Sequence, residues 1–198
     1  MNEETLYRFA GWSAYFNAAI FILSMIALML FFSIGGIWGR INDSLSIIWM
    51  LSYLPLAVAL FLMNRDFNAK LSGFASLLGS AAVLTFVILQ FLLVIGRVQF
   101  EQTFTAVLIM TALVGIFVLI HAFLARGAHN LPPGLTWVMI LYGIASVVGA
   151  VGFQIGGEQH PLAMIGLLLN AVSGLFWVIW FGRLLMSNAM VADVAAVT

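Results

Sequence analysis

Six apolar runs, each long enough to cross a bilayer, restrict this chain more than any other feature. They are Ala10–Gly36, Leu45–Met63, Gly73–Gly96, Thr105–Ala125, Gly134–Ile155 and Leu162–Leu185. Crossing ~30 Å of hydrocarbon takes about 20 residues at a rise of about 1.5 Å each. Water is absent from that layer, so backbone N–H and C=O groups must pair within the segment, which makes the runs helices. None alternates polar and apolar residues as barrel strands do. Composition agrees: 64% of residues are hydrophobic and 7% charged, against roughly 45–50% and about 25% in soluble domains. The chain reads as an all-α, polytopic six-transmembrane-helix bundle over residues 1–185 with a short C-terminal tail over 186–198. Its expected partners are the lipid bilayer and other membrane proteins.

Orientation follows from the basic residues, which favour the cytoplasmic side. Arg8, Arg65, Lys70, Arg126 and Arg183 fall on one side, and Arg40 and Arg97 on the other. Both termini are therefore expected in the cytoplasm, in a multi-pass protein of the cell membrane. The first run, behind Glu3, Glu4 and a single Arg8, is too long for a signal-peptide core and reads as a retained span. Trp12, Trp137, Trp177 and Trp180 are expected at the inner interface, and Trp38 and Trp49 at the outer one, where an amphipathic indole is favoured. Net charge is zero, so no nucleic-acid partner is expected. The absence of cysteine removes disulfide and thiolate chemistry.

The six runs also read as one helical hairpin used three times. Ile34-Gly35, Ile95-Gly96 and Ile155-Gly156 close the outgoing helices, and Arg65, Arg126 and Arg183 close the returning ones. Such units would be parallel repeats about an axis along the membrane normal.

Intramembrane ionisable groups mark relays and cofactor sites, and His121 is the one ionisable residue inside a span. A bis-histidine haem needs a second ligand at the same depth, and His129 and His160 are loop residues. His121 is therefore expected to be structural, flanked by Phe117 and Phe123, in a protein with no cofactor. The uncharged polar residues are Asn17, Gln90, Gln154 and Asn170. Gln90, Gln154 and Asn170 all fall in the outer half and are placed to converge on one ligand cavity. The competing reading is interhelical hydrogen bonding. Asn170 shares a face with Gly166 and Gly174, and Ala75-x-x-x-Gly79, Ala145-x-x-x-Gly149 and Gly152-x-x-x-Gly156 are further small-residue packing signals. Pro55 should kink the second helix and free a carbonyl.

No catalytic constellation is present. Ala171-Val172-Ser173-Gly174 is similar to the Gly-x-Ser-Gly of rhomboid proteases but lacks its first glycine and a partner histidine. The Ala10-Gly11-Trp12 opening, Gly35-Gly36-Ile37-Trp38-Gly39 and the turn Gly156–Pro161 resemble bacterial six-helix inner-membrane proteins grouped as a domain of unknown function. That likeness implies a fold and no active site. Size and helix count also resemble the substrate-binding subunits of energy-coupling vitamin importers, whose Ala-x-x-x-Ala face matches Ala14–Ala18. The expected function is that of a non-enzymatic membrane-complex subunit or apolar-ligand binder. The alternative is a small-solute transporter or vitamin-binding import subunit.

Overall fold

The computed structural model describes residues 2–157 and 159–187. Glu158 and residues 188–198 of the expected tail lie outside the described residues. The helices are α1 Glu3–Ile34, α2 Trp38–Leu51, α3 Tyr53–Val94, α4 Phe100–Ala128, α5 Pro133–Gly156 and α6 Pro161–Met186, with no strand among the described residues. Five stretches are long and apolar enough to cross a membrane, because α2 and α3 form one run, Trp38–Val94, of 57 residues. The expected six separate spans are thus not reproduced as such: Leu45–Met63 and most of Gly73–Gly96 fall within this single run.

Two interruptions shape that run. At Asn68 the backbone leaves helical geometry (φ −156, ψ 88). Beyond it, Ser72 Oγ donates to Phe61 O at 3.2 Å and Ser76 Oγ to Ala57 O at 3.2 Å. Residues 57–61 and 72–76 therefore run antiparallel, and the helix doubles back on one non-helical residue. The second interruption is at Ser52, three residues before Pro55. A proline ring clashes with the carbonyl four residues back and supplies no N–H, and the helix is interrupted at Ser52 while its backbone stays in the α region (φ −68, ψ −9). Two carbonyls beside it bond to α1 side chains: Ser13 Oγ donates to Ser52 O at 2.9 Å and Asn17 Nδ2 to Trp49 O at 3.0 Å.

The helices pack in a ring in chain order, each on the next, with α6 closing onto α1 and α1 also touching α3. Glu3 bonds Arg65 at 2.6 Å, and Gly11 abuts Met186, so these four residues share one end of the ring. The opposite end carries turns in which Gly35, Gly96 and Gly157 hold positive φ (68, 72 and 75), a conformation glycine adopts without a Cβ penalty. The third such glycine is Gly157, not the expected Gly156, which is the last helical residue.

Helix starts lie outside the expected runs because polar caps extend them. Asn2 Oδ1 accepts from Thr5 N at 2.9 Å, so α1 begins before Ala10. Gln99 and Gln102 form a reciprocal capping box that starts α4 before Thr105. Such caps satisfy orphan N–H groups of the first turn.

Burial is uneven along the ring axis. Towards the Glu3–Arg65 end, the interior is filled by Trp177, Tyr53, Tyr142, Phe117, Phe181, Leu56, Leu60, Leu135, Met139 and His121, all 2% exposed or less. Towards the glycine turns, the buried positions on α1, α5 and α6 are Ser24, Ala27, Gly149, Gly152, Ala163 and Gly166. Gly149 and Gly166 meet backbone to backbone, as do Gly152 and Ala163. The Gly152-x-x-x-Gly156 and Ala145-x-x-x-Gly149 patterns are thus spent largely on contacts within the chain.

Trp177 and Trp49 depart from the expected interfacial belt. Trp177 is fully buried among Tyr53, Tyr142 and Phe181. Trp49 Nε1 donates to Asn17 Oδ1 at 3.2 Å. Trp12 and Trp137 are exposed, and Trp137 stacks under Arg126 at 4.3 Å.

Candidate functional site

Polar side chains inside the ring gather in two networks. The first lies near the Glu3–Arg65 end and is built on His121, which is wholly buried. Asn64 Nδ2 lies 3.1 Å from its Nδ1, and Ser76 Oγ 3.0 Å from its Nε2. Asn64 Nδ2 also donates to Leu60 O at 2.9 Å, and Ser76 Oγ donates to Ala57 O at 3.2 Å. These partners assign the tautomer: Nδ1 accepts from Asn64, and Nε2–H donates to Ser76, whose own hydrogen is committed to Ala57 O. Asn130 extends the network, with Nδ2 donating to Met63 O at 2.7 Å and Asn64 Oδ1 at 3.3 Å. Both ring nitrogens are occupied, so the imidazole ties the two arms of α3 to α4. Phe117 packs edge-on to it at 5.1 Å. Phe123, expected beside it, instead points outward at 58% exposure.

The second network occupies the middle of the ring. Tyr53 and Tyr142 hydroxyls meet at 3.1 Å, and Asn17 Nδ2 donates to Ser52 Oγ at 2.7 Å. Asn170 Nδ2 donates to Ser146 Oγ at 2.6 Å, and Ser146 Oγ donates to Tyr142 O at 2.8 Å. A small cavity of about 10 Å³ lies among Asn17, Trp49, Tyr53, Tyr142 and Asn170. Its walls come from α1, α2, α3, α5 and α6, which places Asn170 on the interior side of the ring.

On its other side, Asn170 closes the end of a partly open cleft between α4, α5 and α6, about 60 Å³ in volume. Leu108, Thr111, Ala150, Phe153 and Leu167 supply most of its side-chain lining, with Ser146 beside Asn170. The cleft exists because glycine and alanine on α5 and α6 leave no side chains to fill it. It is apolar along its walls and polar at one end, the pattern of a small-molecule site.

The three residues expected to converge do not meet here. Asn170 is in the cleft. Gln90 is buried elsewhere on α3, with Oε1 unpartnered, and is not among the cleft's walls. Gln154 is exposed, although Phe153 beside it lines the cleft, because adjacent helical residues point about 100° apart. The three share a depth, but α3 is not packed next to α5 or α6 in the ring, and rotation turns Gln154 outward. Sequence reading also missed Tyr53, Tyr142 and Ser146. A mid-span tyrosine needs a hydroxyl partner once buried, and that was the available signal.

Comparison with models of known protein families, with curated proteins and with solved structures finds no match.

Proposed function

We propose that this is a multi-pass cell-membrane protein of six crossings that acts by binding an apolar ligand, without catalysis, in the cleft between α4, α5 and α6. The observation that carries the reading is the cleft itself, apolar along its walls and closed by the single amide Asn170. The rest of the bundle supports it as a rigid frame, with its aromatic interior packed towards the Glu3–Arg65 end.

Six crossings are supported by length and by the reversal at Asn68. A straight helix of 57 residues would reach about 85 Å, nearly three bilayer cores of ~30 Å. Both termini on the cytoplasmic side are supported by the five-to-two division of basic residues. Threefold repetition is supported by the positive-φ glycines Gly35, Gly96 and Gly157, each 61 residues after the last. The same spacing relates the buried positions Leu56, Phe117 and Val178, and also Leu60, His121 and Gly182.

Transport is the second reading, favoured by the interruption at Ser52, since discontinuous helices beside polar side chains form substrate sites in transporters. Against it, the carbonyls of Trp49 and Ser52 are already bonded by Asn17 and Ser13.

The test is purification in mild detergent followed by mass spectrometry of co-purifying small molecules. Wild type is expected to retain an apolar molecule that Ala150→Phe, which fills the cleft, does not. Identical contents in both proteins would contradict the reading.

A further inference from the structure

We infer that the polar end of the cleft recognises a neutral hydroxyl group, so that the ligand is a long-chain alcohol and not an ester, ketone, ether or amine. This rests on the reading of the cleft as a ligand site and adds the chemistry of what enters it.

The inference comes from accounting for hydrogens. Three polar side chains face the cleft: Thr111, Ser146 and Asn170. Thr111 Oγ1 donates its hydrogen to Val107 O at 3.0 Å, one turn back on its own helix. Ser146 Oγ donates its hydrogen to Tyr142 O at 2.8 Å. One N–H of Asn170 goes to Ser146 Oγ at 2.6 Å. A hydroxyl carries one hydrogen and a primary amide two, and the second N–H of Asn170 serves the Tyr142 hydroxyl, so no side-chain hydrogen among the three is left for a ligand. Lone pairs remain on Asn170 Oδ1 and Thr111 Oγ1, neither of which accepts a hydrogen bond among the described residues.

An incoming hydroxyl supplies the hydrogen these acceptors lack, giving it to Asn170 Oδ1 or Thr111 Oγ1. A carbonyl or ether oxygen has no hydrogen to give and leaves the acceptors unmet. An ammonium would be desolvated with no carboxylate among the lining residues, an unpaired buried charge of the costly kind. The volume of about 60 Å³ admits a hydroxymethyl-sized head. The chain behind it would run past Leu108, Ala150, Phe153 and Leu167.

The test compares decan-1-ol with its methyl ether as probes on the purified protein, reading half-saturating concentration from the shift in melting temperature. One net hydrogen bond corresponds to about threefold to tenfold in affinity, so decan-1-ol should half-saturate at about threefold to tenfold lower concentration than the ether. Asn170→Leu should erase that difference. Ala150→Phe should abolish both responses, which separates the cleft from general partitioning into the micelle. Equal responses in wild type, both lost in Ala150→Phe, would overturn hydroxyl recognition while leaving the cleft as a ligand site. No response to either probe, or responses that survive Ala150→Phe, would overturn the site as well. If Asn170→Leu fails to fold, the alcohol–ether ratio in wild type still decides.

Discussion

Phe181 and Phe153 are the same side chain in the two halves of one ring. Phe181 is fully enclosed beside Trp177. Phe153 is half-buried at the cleft, touching Phe104 edge-on at 5.5 Å. The two side chains are equally apolar, so hydrophobicity does not distinguish their surroundings. Side-chain volume on α5 and α6 does. Where the sequence supplies Trp, Tyr and Phe, the ring interior fills. Where it supplies Gly, Ala and Ser on α5 and α6, backbones touch and a cleft remains beside them. In lipid there is little hydrophobic drive between helices, so packing itself holds the bundle together, and a half with fewer large side chains is held less firmly.

The sharpest way to break this comparison is to truncate both rings. Phe181→Ala leaves a cavity in the filled half and should cost about 3 kcal/mol, the low end for such truncations because lipid offers little transfer term. Phe153→Ala should cost about 1 kcal/mol, the scale of one aromatic pair. Melting temperatures in one detergent compare them, and equal losses would refute the division into halves.

His121→Ala should cost about 1–3 kcal/mol, because it strands the Asn64 amide and the Ser76 hydroxyl inside the bundle. A double-mutant cycle with Asn64→Leu measures the coupling. Additive losses would mean that the imidazole does not join the arms of α3 to α4. The smallest effect belongs to Asn170→Leu, which removes one interhelical bond to Ser146 worth about 0.6 kcal/mol on average. A loss of several kcal/mol would show Asn170 to be a structural keystone instead of a cleft residue.

How much of this could be read in the sequence depends on which residues announce themselves. The apolar runs are legible because run length is a direct physical requirement of the bilayer. Their separation at residues 64–72 is not, because Arg65, Asp66 and Lys70 look like a loop, yet helical hydrogen bonding persists on both sides of Asn68. Which face of each helix turns inward is the least legible. Trp177 and Trp180 lie three residues apart, and both read as interfacial, but one is buried and the other 38% exposed. Core and lipid are equally apolar, so no hydrophobic stripe marks the inward face as it does in a soluble helix. Asn170 stood out because an amide in an apolar run is conspicuous. Its partner Ser146 did not, since a serine in a helix can bond its own backbone unaided. Gln154 shares the depth of Asn170, but its position on the helix turns it outward.

The most direct test of the two-halves division uses the absence of native cysteine, which leaves no background for thiol labelling. Leu108 and Val118 lie on the same helix, the first in the cleft wall and the second wholly buried in the filled half. Leu108→Cys and Val118→Cys are to be exposed in native membranes to a small uncharged thiol reagent, with the denatured protein as the measure of total thiol. The division predicts that Leu108→Cys is modified in the native state and that Val118→Cys is modified only after denaturation. Equal labelling of both, or labelling of Val118→Cys alone, would contradict it.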